Sequence, residues 1–148
     1  MRKISMLIGI VLLMNAGAFS QSTTVKTTTM EESMVKEVLQ NYLKAMVTKD
    51  TALIGKIFNP SAQMFLVREA QLLQLPIFPG LIQYIQTTPK DPEAKGRVVS
   101  LDIAGTAATG KVEVISKGLV YTDYFNLIKT GGVWVIVNKT FSILPFTQ

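Results

Sequence analysis

The chain has no cysteine, no histidine, a single tryptophan and only 17% charged residues in 148. Without cysteine there is no disulfide, no thiol nucleophile and no lipid-bearing N-terminal cysteine. Without histidine the commonest general base is missing, and so is the partner a serine nucleophile needs. With both absent the two usual zinc ligands are gone, so no metal site and no cofactor is expected. Ser20-Gln21-Ser22 and Ser61 therefore suggest no nucleophilic chemistry, and Asp91 with Glu93 offers too few oxygens for calcium. Acids are scarce too, ten against fifteen lysines and arginines, for a net charge of +5. The basic residues are scattered, with no stripe interleaved with aromatics, so no nucleic-acid partner is expected.

Met1-Arg2-Lys3 precedes an apolar run from Ile4 to Met14, broken only by Ser5 and Gly9, and then the small-residue stretch Ala16-Gly17-Ala18-Phe19-Ser20. This order of basic, apolar and small residues predicts a signal peptide over 1–20, cut before Gln21. A retained anchor would need about 20 apolar residues. The expectation is an exported protein, periplasmic or secreted, not a lipoprotein, with no membrane association after cleavage. Loss of Arg2 and Lys3 lowers the charge to +3. A Ser/Thr/Lys-rich flexible leader is expected over 21–29, followed by one domain over 30–148.

Thr29 with Glu32 forms a capping box, and Val35, Val38, Leu39, Tyr42, Leu43 and Met46 then share one helical face, predicting a helix to about Thr48. Asp50 caps a short second helix through Phe58, stopped by Asn59-Pro60. Gln63 to Arg68 reads as a strand. Phe78 to Gln86 reads as a third helix with Pro79 in its first turn. From Arg97 the period becomes two. Turns at Ala104-Gly105, Lys117-Gly118 and Thr130-Gly131-Gly132 divide the rest into paired strands. Turns with an even number of residues preserve parity. The inner face is then Val99, Leu101, Ile103, Ala108, Gly110, Val112, Val114, Tyr121, Asp123, Phe125, Leu127, Trp134, Ile136, Asn138 and Thr140. Three helices before a meandering antiparallel sheet with one apolar face indicate the α+β class.

The order of elements, Phe58-Asn59-Pro60-Ser61-Ala62, Thr122-Asp123-Tyr124-Phe125-Asn126-Leu127 and above all Gly132-Val133-Trp134-Val135-Ile136-Val137-Asn138-Lys139 resemble the lumazine-binding branch of the nuclear transport factor 2-like superfamily. The resemblance runs from about Glu31 to Leu144. It implies a cone in which a strongly bent sheet wraps the three helices and leaves a pocket between them. Such pockets vary widely in content, so the resemblance alone names no ligand.

Asp123 is the single acid on that inner face. A buried acid must be paired, neutral or in use. Tyr121, Asn138 and Thr140 are placed beside it, and Tyr42 on the first helix points toward them, so these five residues are the candidate ligand-binding set. The same register puts Arg97 on Asp123's face across Val112, as its expected ion-pair partner. A carboxylate beside a phenol in an apolar cavity is also the apparatus of proton abstraction next to a carbonyl, as in an isomerase or dehydratase. Binding of a small apolar or aromatic ligand is the preferred reading, with the enzyme second and a pocketless dimeric scaffold third. Arg68-Glu69 stands where it can rim the cavity mouth, although an exposed pair at a strand end is ordinarily just solvated.

Val120, Tyr124, Ile128, Val133, Val135, Val137 and Phe141 fall on the opposite face of the last two strands. A contiguous apolar patch of that size is rarely left in water, and it predicts a homodimer packed sheet to sheet. The alternative is a terminal segment folded across it.

Overall fold

The computed structural model describes residues 19–147, with side chains from Thr28 onward; the expected signal peptide lies outside them apart from its last two residues. The first helix, α1, runs Phe19–Thr48. It thus continues through the segment read as a flexible leader, and Thr29 sits inside the helix instead of at its cap. Val35, Leu39, Tyr42 and Ala45 are fully buried along one stripe of α1, the spacing expected of a helix with one apolar face. At its end Lys49 takes a left-handed conformation (φ 64°), and the Asp50 amide donates to the Ala45 carbonyl at 3.1 Å. That closes the helix in a Schellman-type turn. The Asp50 carboxylate then accepts from the Ala52 amide at 3.0 Å and starts α2, Thr51–Ile57.

Strand β1, Phe58–Arg68, turns at Glu69 and Ala70, both at positive φ, into β2, Gln71–Pro76. The sequence offered no sign of β2, because only Leu73 in it is even partly buried and the apolar–polar alternation is lost. Helix α3, Ile77–Thr87, follows and buries Ile77, Leu81 and Ile85. The remaining strands are β3, Lys95–Ala104; β4, Ala107–Ser116; β5, Leu119–Thr130; and β6, Val133–Pro145. Lys117-Gly118 and Gly131-Gly132 form two-residue turns with positive φ throughout, the geometry that suits twisted hairpins.

The strand order is β2-β1-β6-β5-β4-β3, and the sheet is open. All pairs are antiparallel except β1 with β6, so the sheet is mixed where a purely antiparallel one was expected. The parallel pair arises because β1 enters from the helices and β6 returns beside it after the meander. Helix α1 lies across β3, β4 and β6, and α3 lies on β1 and β2. The approach of α1 is close enough that a Cβ on Gly110 would come within 2.6 Å of the Leu39 side chain.

Two β-bulges rearrange the inner face. In β3 the pairing steps from Val98↔Val112 to Ser100↔Lys111, leaving Val99 extra. In β6 it steps from Leu127↔Ile136 to Asn126↔Asn138, leaving Val137 extra. One extra residue reverses the facing of the side chains on one side of the bulge relative to those on the other, here those farther from the hairpin turn. Val98 therefore points inward and Arg97 outward. Lys139 and Phe141 point inward, while Asn138 and Thr140 point outward. Even-numbered turns do preserve parity, as the β4–β5 register of Val112↔Asp123 and Val114↔Tyr121 illustrates; a bulge inside a strand does not.

Candidate functional site

Asp123 is 2% exposed, on the face of β5 that receives α1. Its Oδ2 accepts from the Tyr42 hydroxyl at 2.8 Å. Its Oδ1 lies 2.9 Å from Nζ of Lys139, itself 4% exposed. That second contact is an ion pair without hydrogen-bonding geometry, so Oδ1 is buried with its charge balanced but no proton directed at it. Lys139 Nζ instead donates to the Tyr42 oxygen at 2.9 Å and lies 4.4 Å from the Phe141 ring centroid. The phenol thus bridges the ion pair, donating to the acid and accepting from the amine. Burial, reinforced by the charge and hydrogen bond of Asp123, pushes Tyr42 well above the ordinary phenol range, so the bridging proton stays on oxygen.

Aromatic rings hold the cluster in place. The Tyr42 ring meets Phe125 edge-on with centroids 4.7 Å apart, and Phe58 at 6.2 Å. Edge-to-face contacts of this kind contribute about 0.5–1.5 kcal/mol each beyond area burial.

The expected pairing of Asp123 with Arg97 does not form. The Val99 bulge turns Arg97 outward, where its Nε and Nη2 donate to Glu113 Oε2 at 2.9 and 2.6 Å. Asn138 and Thr140 also stand away from Asp123. Asn138 faces Asn126 on the outer side, and Thr140 borders a shallow outer concavity with Ser100, Thr109 and Tyr124. Of the five candidate residues, Tyr42, Tyr121 and Asp123 come together. Lys139 was missed because the run Val133 to Val137 hides where the strand changes phase.

Above this cluster opens a cavity of about 450 Å³ between α1, α3 and the curved sheet. Its walls include Met46, Leu66, Val114 and Phe141. Tyr84 of α3 and Tyr121 of β5 present their phenols to it, and burial followed by contact with the Tyr121 phenol pushes Tyr84 up to about 12. Lys49, Arg68 and Lys117 line the same space, as does Asp91. Lys49 Nζ lies 5.7 Å from the Tyr84 ring centroid, and burial, then the charge of Lys117, hold its amine below the usual lysine range. Tyr42, Asp123 and Lys139 form a floor with almost no exposed surface, whereas Tyr84, Arg68 and Lys117 are exposed. Among the described residues no three acidic side chains gather as a metal set.

The family model described as "Putative lumazine-binding" matches residues 30–142. The chain belongs to this family. The nuclear transport factor 2-like fold is shared with solved structures. An NTF2-like protein of unknown function from Shewanella baltica OS155 is 31% identical, with a TM-score of 0.74 over 80% of this chain and 97% of that one. A second, from Methylobacillus flagellatus KT, is 25% identical with a TM-score of 0.69, covering 77% of this chain and 92% of that one. A third, from Silicibacter pomeroyi DSS-3, is 20% identical with a TM-score of 0.70 over 79% and 98% of the two chains, and shows the fold alone. Comparison with curated proteins finds no match.

Proposed function

We propose that this lumazine-binding-family domain is an exported small-molecule binder whose ligand enters the cavity between α1, α3 and the sheet. One observation carries the reading. A concavity of about 450 Å³ has apolar walls and two convergent phenols, within the size range and chemistry of small-ligand sites. The buried floor supports binding over proton abstraction. Asp123 is 2% exposed, its Oδ2 occupied by the Tyr42 hydroxyl and its Oδ1 charge-balanced by Lys139, so little of the carboxylate is open to a substrate. Tyr84 and Tyr121 are among the polar groups a ligand can reach, which moves the centre of recognition outward from Asp123. Native mass spectrometry of the mature protein, compared with a cavity-filling Leu66→Trp variant, tests this. A small molecule retained by the first and lost from the second is the expected result; equal binding by both would refute it.

Export rests on the N-terminal pattern Met1 to Ser20, and fractionation of cells carrying the full chain should place the processed protein outside the cytoplasm. The outer sheet face supports self-association. Tyr124, Ile128 and Val133 are 50%, 40% and 57% exposed there, beside Val120 and Val135. Phe141, turned inward by the bulge, is not part of that face. We place a homodimer interface on this patch. Sedimentation across a concentration series that returned only monomer would remove it.

A further inference from the structure

Three cations reach the cavity from three separate places in the chain: Lys49 at the α1–α2 junction, Arg68 at the end of β1 and Lys117 in the β4–β5 turn. None of them is among the ion pairs formed by the described residues, which join Arg97 and Lys111 to Glu113, Lys129 to Glu31 and Lys139 to Asp123. Among the described residues that line the mouth, Asp91 is the one carboxylate; it feels the charge of Lys117, and its oxygens are taken up by neighbouring donors. Its Oδ2 accepts from the Ser116 hydroxyl at 2.6 Å and the Lys117 amide at 3.0 Å, and its Oδ1 from the Glu93 amide at 3.0 Å. The other acid of the cavity, Asp123, is neutralised from below by Lys139. The opening therefore carries three positive charges against one negative, above walls that are mostly hydrocarbon.

Surface lysines kept only for solubility point outward and avoid one another. Lys49 does neither: it is half-buried, lies over the Tyr84 ring and feels the charge of Lys117. A cavity with low-dielectric walls and one sign of charge at its mouth concentrates ligands of the opposite sign.

We propose that the cavity takes an amphipathic organic anion, with an apolar or aromatic body against Leu66, Val114 and Phe141 and its acidic group at the mouth between Lys49, Arg68 and Lys117. This deepens the binding reading above and rests on it. An arginine fork and two ammonium groups match a carboxylate or sulfonate, and the phenols of Tyr84 and Tyr121 supply donors for a second polar atom.

The test uses two fluorescent probes with the same aromatic body, anilinonaphthalene sulfonate and the uncharged N-phenylnaphthylamine, titrated into the mature chain. The sulfonate should bind roughly tenfold more tightly, the combined effect of two or three partly exposed ion pairs. Replacing Lys49→Gln and Arg68→Gln together should erase that preference while changing the neutral probe by less than about twofold, and added salt should weaken only the sulfonate. Equal affinities, or a preference unmoved by the double substitution, would overturn the anion assignment. Leu66→Trp should expel both probes; where that variant does not fold, Ile143→Trp at the exposed end of the lining serves instead. If the filled variant expels both probes and the charge variant changes nothing, the pocket stands and the anion does not. Should both probes survive the filling, they sit elsewhere and the binding reading falls with the proposal.

Discussion

Replacing Lys139→Met should be among the most damaging single changes to this domain, and undoing the rest of its cluster should repair it. The substitution removes the cation 2.9 Å from Asp123 Oδ1 and leaves a carboxylate, 2% exposed, with only the Tyr42 hydroxyl as a donor. Its neighbours offer no rescue, since Val112 opposite it and Phe125 beyond it are buried hydrocarbon. Breaking one partner of a buried ion pair costs about 3–5 kcal/mol. Asp123→Leu should cost a similar amount by stranding the ammonium. Tyr42→Phe, which removes the bridging hydroxyl but keeps the ring, should cost about 1.5–3 kcal/mol, the value of hydrogen bonds to charged groups. The triple variant Tyr42→Phe, Asp123→Leu, Lys139→Met contains no buried polar atom in the cluster. It should return to within about 2 kcal/mol of the parent, because well-packed apolar groups replace buried ion pairs at little or no net cost. Urea unfolding followed by Trp134 fluorescence measures each step. At a slope of about 2 kcal/mol per M, the Lys139→Met midpoint falls by roughly 2 M and the triple variant recovers most of it. A Lys139→Met loss below about 1 kcal/mol would show that the pair is not desolvated as described. A triple variant as unstable as the single would show that the cluster contributes to stability instead of only balancing itself.

Gly110→Ala should cost about 1–3 kcal/mol, because the new methyl would meet Leu39, which is fully buried and cannot withdraw. Gly55→Ala in α2 meets nothing and should be neutral or slightly stabilising, by up to about 1 kcal/mol, in the same unfolding assay. Of the four tyrosines, Tyr84 should ionise near 12 and Tyr42 only as the chain unfolds, read as phenolate absorbance. The folded state holds the Tyr84 proton more tightly, so that contribution is present below pH 10 and lost as pH rises toward 12; Tyr84→Phe should abolish that step. At the other end of the scale, Lys129 and the Trp134 indole donate to Glu31 at 2.6 and 2.8 Å and hold its carboxyl below 4.5. Folding there favours the carboxylate, so its stabilisation is present above pH 4.5 and lost as pH falls through the lowered value. Glu31→Gln should flatten that acid limb, and an unchanged limb would rule out the clasp.

The sequence by itself determined the α+β class, the three helices, the β4–β5 register and the inward direction of Asp123. These depend on short-range signals: the 3.6-residue stripe of Val35, Leu39 and Tyr42, the Asp50 cap, and glycine-containing turns of two residues that conserve parity. Only the tertiary structure decided what Asp123 touches. Bulges at Val99 and Val137 lie within stretches rich in valine, where an extra apolar residue leaves no mark on the pattern, yet each reverses the facing of the residues on its far side from the turn, before Val99 in β3 and after Val137 in β6. They take Arg97, Asn138 and Thr140 from the inner face and bring in Lys139. The cavity mouth was likewise beyond sequence reach apart from Arg68, since Lys49, Tyr84 and Lys117 converge from segments that meet only when the sheet curls around α1. Local chemistry fixes the direction of one side chain, but the partners of a buried charge are set by which strands pair, and where they slip.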